Sequence, residues 1–566
     1  MRKSLVMLWL ALVIALPTIS LAQIWVARYN GPGNGWDGGN AIAVDDAGNI
    51  YVAGSSNGVG SLYDYAIIKY NPSGAEQWVA RYNGPGNGSD EANAITVDHS
   101  GNIFVTGHSE GGPGTGADYA TIKYNSSGVE QWVARYNGSG NMADGAGGIC
   151  IDNSGNVYVT GFSVGSGTES DYALVKYDSS GVEQWVARYN GPDNDYDRSI
   201  AIVLDHAGNI FITGTSRGSA TDDDYVTVKY DSSGVEQWVA RYNGPANGPD
   251  GADAIGLDDM GNVYVTGSSR GLGTDNDYAT VKYNPSGVEQ WVVRYNGPAN
   301  HWDDASAIAV DHLGNIHVTG RSVDSDLEDD YATIKYSSAG VEQWVARYDG
   351  PANSYDDARA LTIDNQANVY VTGYSVGLGT GQDYAAVKYN TSGEEQWVAR
   401  YNGPANDCDD ALAIAVDNSG YVYVTGWSRG PGTGFDYATV KYSCMGIEEH
   451  EKTSKGRHTG LTVYPNPFKG KIDIRYGIPN EVDSRQYAVG SIRIYDIVGR
   501  LVKNFSVLTA YSLVPNVIPW DGRDDFGKKL PSGVYFLKFA TSSAGANGSG
   551  GEAGDHKETE KLILVR

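Results

Sequence analysis

Residues 25–82 read WVARYNGPGNGWDGGNAIAVDDAGNIYVAGSSNGVGSLYDYAIIKYNPSGAEQWVARY, a stretch that opens and closes on the same word. That word or a near variant begins at Trp25, Trp78, Trp132, Trp185, Trp238, Trp291, Trp344 and Trp397, at a spacing of 53 and once 54 residues. A fixed period of this size marks a repeat architecture in which no unit buries its apolar face alone. Inside the quoted unit lie AIAVD (Ala41 to Asp45), NIYVAGS (Asn49 to Ser55), DYAIIKY (Asp64 to Tyr70) and EQWVARYN (Glu76 to Asn83). Each is rich in Val, Ile, Tyr or Thr and bounded by Gly, Asn, Asp or Pro, so the unit is four strands.

Two connections, DDAGN and NPSGAE, carry the Asp/Asn-Gly chemistry of tight antiparallel turns. The other two, of the YNGPGNGWDGGN and SSNGVGSLY types, are long. Alternate connections of an up-and-down sheet share an end, so both long loops fall on one face and both short turns on the other. Four strands per unit is the mark of a β-propeller. The array starts on a fourth strand (Trp25 to Asn30) and ends on a third (Asp436 to Tyr442), with eight of each strand type. The expected fold class is all-β: an eight-bladed propeller of four-stranded blades over residues 23–442, its last blade completed by the N-terminal strand. The alternatives are an open solenoid, which would leave apolar strand edges in solvent, and a seven-bladed ring with a spare unit.

Composition narrows function by exclusion. The 566 residues carry a formal charge of -27, and residues 23–442 alone hold 22 basic against 54 acidic side chains, net -32. Such a surface does not hold nucleic acid phosphates or anionic lipid. Three Cys cannot make a disulfide scaffold, and none has zinc-site spacing. Met1-Arg2-Lys3, an apolar run from Ser4 to about Ile19 and Ser20-Leu21-Ala22 have the layout of a secretory signal peptide, residues 1–22. The alternative, a membrane anchor, meets a run shorter than the ~20 residues that span a bilayer. The mature chain is expected to begin near Gln23, without a transmembrane segment. After a polar linker, residues 443–460, the pattern changes at Leu461 to strands of an Ig-like β-sandwich, residues 461–566, with net charge +3 from 14 basic and 11 acidic side chains.

The words WVARYNG, AIAVDxxGNIYVTG and DYATIKY resemble the bacterial β-propeller repeat family SBBP, whose name refers to seven blades where eight units stand here. The resemblance implies an extracellular or surface protein and no common chemistry. Leu461 to Arg566 resembles the type A C-terminal sorting domain of the type IX secretion system, and is also similar to the Ig-like domain of flagellar hook-capping proteins. The matching words are Tyr464-Pro465-Asn466-Pro467-Phe468, Tyr495-Asp496 with Gly499-Arg500, Trp520-Asp521-Gly522, Gly527, Gly533-Val534-Tyr535-Phe536 and Lys561 to Arg566. This resemblance implies handling by the type IX machinery, passage across an outer membrane, and a secreted or surface location in a Gram-negative type bacterium. Removal of the domain and attachment of the cargo to lipopolysaccharide often accompany it. A Gly/Ser-rich then charged insert, Thr541 to Glu560, departs from the pattern and is expected to lengthen the last hairpin as a mobile loop. A plain β-sandwich spacer is the competing reading.

Three Asp sets recur in every unit: Asp37, Asp45, Asp64 and their equivalents. Paired carboxylates suit glycoside hydrolysis, yet eightfold recurrence favours turn-capping structure for all three sets. Calcium is a possible ligand of the oxygen-rich loops NDYDR, HWDD, SYDD and DCDD, although none has EF-hand spacing. The pair Lys69 and Arg81 reads as polar packing with neighbouring carboxylates. Cys150 reads as a small buried hydrophobe, and no bond is expected between Cys408 and Cys444. No G-x-S-x-G elbow, H-E-x-x-H or P-loop is present, so no enzyme class is signalled.

What varies between copies is more informative. Nonrecurrent aromatics gather on the long-loop side as Trp36, Tyr63, Trp302, Tyr355, Tyr374, Trp427 and Phe435, an arc over blades 6, 7, 8 and 1. Ring faces flanked by Asp and Asn are a candidate platform for sugar rings or a protein segment. The competing reading is rings that only pack down long loops. The expected function is an exported, noncatalytic binding or scaffold module; the alternatives are a glycan-active hydrolase or lyase using acidic residues of that face, and a structural surface-layer component.

Overall fold

The computed structural model describes residues 23–443 and, beyond them, 461–464, 472–476, 488–496, 500–509, 516–525, 528–531, 533–543 and 556–564. The expected signal peptide, nearly all of the expected linker, and Pro465, Asn466 and Pro467 lie outside the described residues. The chain divides into two compact units between 449 and 450, within the 443–460 segment.

In the first blade the antiparallel strands Asp37–Val44, Ile50–Asn57, Tyr63–Tyr70 and Glu76–Tyr82 lie side by side in chain order. Six further sheets repeat this order. The eighth sheet combines Asp409–Val416, Val422–Arg429 and Phe435–Tyr442 with the N-terminal strand Gln23–Tyr29, which pairs from Gln23↔Tyr442 to Tyr29↔Tyr437. Each innermost strand touches the innermost strand of both neighbours, Asp37–Val44 meeting Asp409–Val416. The ring is closed and has eight sectors, which removes the solenoid and the seven-bladed alternative.

Period-two side-chain alternation explains why the second and third strands are apolar throughout: each faces a blade on both sides. Tyr51, Ala53, Tyr65 and Ile67 pack on Ala92, Ile103, Val105 and Ile122 of the next blade. Ile50, Val52, Ala66 and Ile68 point the other way, onto Tyr423, Tyr437 and the N-terminal strand's Trp25, Ala27 and Tyr29. The recurring Trp stands over a turn of the following blade. Trp25 Nε1–H donates to Pro72 O at 3.3 Å, and its ring occupies the space a Cβ on Gly74 would need, at a φ of 84°. Glycine there meets both demands.

Each innermost strand carries one β-bulge near its long-loop end, leaving Asn40, Asn93, Gly147, Ile200, Asp253, Ser306, Arg359 or Leu412 unpaired. Bulge positions are free of ladder pairing, and here the repeat varies most.

The second unit is two sheets. One holds Leu461–Tyr464, Ile472–Tyr476 and Asn516–Trp520; the other orders Leu501–Thr509, Ala488–Asp496, Gly533–Ser543 and His556–Leu564. Trp520 is buried, donates its indole N–H to Arg523 O at 2.8 Å and meets Tyr535 edge-on at 6.2 Å, while Tyr535 donates to Pro531 O at 2.8 Å. Asp521 is exposed beside Arg523, at 3.0 Å. Gly522 turns the chain at a φ of 71°, and Gly533 opens the strand that carries Tyr535. At the insert, Thr541↔His556 continues the ladder, so both of its ends are strand and extend the last hairpin.

Candidate functional site

The recurring carboxylates are consumed by architecture. Asp37 accepts from Gly31 N–H and Asn57 N–H, both at 2.9 Å, so one buried side chain pins the loop entering the blade to the loop leaving its second strand. Asp90, Asp144, Asp250, Asp356 and Asp409 repeat the double latch. Burial raises these groups despite the hydrogen bonds, to about 6 for Asp303, Asp356 and Asp409. Asp45 is the opposite case. Burial works to raise it, but hydrogen bonds led by those from Asn49, with Tyr51 and Ala47 N–H, outweigh that and hold it below its ordinary range.

The third set ties blades together. Asp64 Oδ2 lies 2.7 Å from Arg81, which also donates to Ser56 O at 3.0 Å and to Tyr29 OH at 3.0 Å in the preceding blade. Lys69 crosses the other seam to Ser126 O at 3.0 Å, its ammonium 5.0 Å from the Tyr51 ring centre. Among the described residues one trio of carboxylates, Asp330, Asp349 and Asp356, has oxygens within 4.8 Å of one another. Two of the three are engaged: Asp330 by Arg347, and Asp356 by Gly350 and Val376 N–H. Cys150 packs into the seam between blades 3 and 4, burial pushing its thiol up; Cys150 and Cys408 are free, and Cys444 lies outside the described residues.

The aromatic arc divides into two environments. Trp36 meets Tyr63 edge-on at 5.7 Å, and Trp427 meets Phe435 at 4.7 Å, with Arg429 5.5 Å over the Phe435 ring. A Cβ on Gly38 would lie 3.0 Å from the Trp36 ring and 3.2 Å from the Cβ of Trp427, so the Trp36 ring lies over this glycine where blades 8 and 1 join. All four are half-buried. Tyr374 lies under Arg359, at 5.6 Å.

Trp302 and Tyr355 stand apart from that cluster. They are 45% and 52% exposed and line one cavity of about 270 Å³ with His301, Arg321, Val323, Leu327 and Asp329. Leu327 holds a φ of 69°, one residue beyond the place where the turns of several other blades put a left-handed glycine such as Gly60 or Gly273. A leucine in the left-handed region is uncommon and costs of order 1 kcal/mol. Here it places an exposed apolar side chain on the cavity wall. Arg321 grips Asp304 at 2.6 Å and lies 3.7 Å from Asp329. On the innermost strands of blades 7 and 8 the charges continue: Arg359 lies 3.3 Å from Asp357 and 3.7 Å from Asp410. Burial raises Asp410 to about 7, ahead of the opposing Arg359, and raises Asp253 to about 7 on the bulge of blade 5. His301, Arg321, Val323, Leu327, Asp329 and Arg359 escaped the sequence reading. Their signal was present, since each stands where the repeat changes residue from copy to copy.

Comparison with known proteins agrees with these two halves. Residues 462–547 match the family described as a secretion system C-terminal sorting domain, and residues 24–60 and 77–114 match the beta-propeller repeat family SBBP. The regulatory protein FlaEY of Caulobacter vibrioides is 33% identical over 127 residues, 19% of this chain and 13% of that protein. An uncharacterised WD repeat-containing protein of Acanthamoeba polyphaga mimivirus is 23% identical over 459 residues, 68% of this chain and 29% of its own. The chain thus spans under a third of the length of these relatives. Among solved structures, one titled as the eukaryotic initiation factor matches at TM-score 0.36 and 8% identity, covering 64% of this chain and 87% of that one. A protein of unknown function from Dyadobacter fermentans matches at 0.34 and 9%, covering 74% and 98%. Both scores are too low to carry an inference. Among the described residues no helix is long and apolar enough to cross a membrane. The chain is an eight-bladed propeller of SBBP-type beta-propeller repeats that carries a secretion-system C-terminal sorting domain.

Proposed function

We propose that this exported propeller is a noncatalytic binding module of the bacterial surface, delivered across the outer membrane by the type IX machinery, with its ligand held on the long-loop face at blades 6 and 7. One observation carries the reading: Trp302 and Tyr355 stay half-exposed around a cavity that also offers Arg321 and Asp329, while the equivalent Trp36 is packed down. Exposed rings with a few convergent polar groups are the ordinary form of a ligand pocket. The strained Leu327 on the wall supports it, because local strain persists where the surrounding structure over-determines it.

A glycan array and a panel of surface polypeptides, each probed with the mature chain with and without calcium, test the proposal. Binding that disappears in Trp302→Ala with Tyr355→Ala, at unchanged melting temperature, is the expected result; binding indifferent to both substitutions rejects the site.

A second reading, a glycan-active hydrolase or lyase, has one observation in its favour. Asp357 and Asp410, both buried, share Arg359 beside Tyr374, and Asp410 is raised to about 7, in the range of a general acid. Turnover of a polysaccharide that Asp410→Asn abolishes would establish it.

A further inference from the structure

We propose that the cavity between blades 6 and 7 receives a cation, the ammonium or guanidinium of a basic segment on a partner polypeptide. The proposal rests on the long-loop face being a binding face and names its ligand.

The lining supplies the three things a long basic side chain needs. Trp302 and Tyr355 present ring surfaces to solvent, and an aromatic face attracts a cation placed within about 6 Å of its centre. Val323 and Leu327 give the methylene stem an apolar wall. Asp329, on the same cavity, gives the charged head an acceptor.

Charge bookkeeping over the patch then separates cations from other ligands. Arg321 is the guanidinium of the cavity, and it is already spread over three carboxylates: Asp304 at 2.6 Å, Asp329 at 3.7 Å, and Asp357 through space. Arg359 is likewise shared by Asp357 and Asp410. Asp304, Asp329 and Asp357, joined by Asp410 when it is ionised, therefore face two guanidiniums, and His301, the remaining basic lining group, sits against a further carboxylate, Asp275, at 3.2 Å. The propeller domain as a whole holds 54 acidic against 22 basic side chains. A concave site in such a field concentrates cations and repels uronates, sulfated sugars and phosphates. A neutral hexose would gain stacking but nothing from the uncompensated charge. A cavity of about 270 Å³ admits a side chain, and the open rim leaves room for the segment that bears it.

The test titrates the mature full chain with hexalysine, with its fully Nε-acetylated counterpart and with cellohexaose, following heat and tryptophan fluorescence. Hexalysine is expected to bind, to weaken as salt rises, and to lose its affinity on acetylation. Trp302→Ala should weaken it roughly 2- to 30-fold, the range of one cation–aromatic contact, and Asp329→Asn, which removes the charged acceptor, should weaken it as well. Hexalysine binding that both substitutions leave unchanged means diffuse attraction to an acidic surface and overturns the proposal. Cellohexaose binding that Trp302→Ala removes, with no such effect on hexalysine, overturns the cation and keeps the binding face. No binding of any probe overturns the cation and removes support from the reading beneath it. Tyr355→Ala repeats the measurement on the second exposed ring, so a folding failure in one variant does not decide the outcome.

Discussion

Trp36 and Trp302 occupy the same position of the same repeat, one residue before the latch aspartates Asp37 and Asp303, and meet opposite fates. Trp36 is seated: Gly38 leaves it space, Tyr63 closes on its edge, and the Cβ of Trp427 in the neighbouring blade lies against the same glycine. Around Trp302 the corresponding residues are Asp304, Asp329 and Ser268, none of which offers an aromatic or empty seat, and the ring is left 45% exposed at a cavity. The lesson is that an aromatic residue in a loop is packing or platform according to what stands two residues on and across the seam, not according to its own identity.

The largest test breaks the seat. Gly38→Asp puts the blade 6 residue into blade 1, where the new Cβ arrives 3.0 Å from Trp36 and a carboxylate is buried without a partner. Overpacking together with an unpaired buried charge should destabilise the propeller by about 3 kcal/mol. Denaturant unfolding would show it as a lower midpoint, with Trp36 emission moving to the red.

Truncating the two rings sharpens the contrast without adding anything. Trp36→Ala removes a half-buried ring and its contacts with Tyr63, and should cost about 2 kcal/mol. Trp302→Ala removes an exposed one and should stay within about 0.5 kcal/mol. Equal losses in parallel melts would mean that the two environments do not differ energetically.

Blade 8 offers a third version of the position held by Gly38 in blade 1 and Asp304 in blade 6, Asp410. Burial raises its pKa to about 7, so the folded protein opposes its ionisation. Below about pH 3 the group is mostly neutral in folded and unfolded chains alike and has little effect. As pH rises from about 4 through 7, the unfolded chain loses the proton first and stability falls. Asp410→Asn should therefore match wild type near pH 3 and exceed it by roughly 3 kcal/mol at pH 8. A gain that does not change with pH would point to a cause other than ionisation.

How much of this was legible follows from what each level depends on. The ring was readable because its determinants recur: eight copies of a four-strand word leave one strand over at each end, and Gln23–Tyr29 pairing with Phe435–Tyr442 is the only arrangement that uses both. The structural role of the aspartates was readable for the same reason. The site was not, because it depends on residues that differ between copies and meet only through the fold. Counting loop aromatics found Trp302 and Tyr355 but grouped them with Trp36, Tyr63, Trp427 and Phe435, since a one-dimensional list does not show that the latter pack as the pairs Trp36–Tyr63 and Trp427–Phe435, with Gly38 leaving room for Trp36. Leu327 was visible as a leucine in a turn where other copies use glycine, yet its φ of 69° and its place on the cavity wall are properties of the folded loop.

The smallest effect tests whether the difference runs in both directions. Asp329 is the blade 6 equivalent of Tyr63, and Asp329→Tyr returns to Trp302 the partner that Trp36 has. An edge-on aromatic pair contributes roughly 0.5 to 1.5 kcal/mol beyond its area, but Asp304 still stands where glycine would be, and removing Asp329 releases Arg321 from one of its carboxylates. The net gain should be under about 1 kcal/mol. Solvent access is the sharper readout: acrylamide quenching of a Trp302 signal, isolated against a Trp302→Ala background, should fall as the ring closes over the cavity. Basic peptide binding should fall with it, because the substitution fills the pocket and deletes its acceptor. Quenching that stays at the wild-type level would show that the glycine alone, and not the pair of rings, decides which face of this propeller is open.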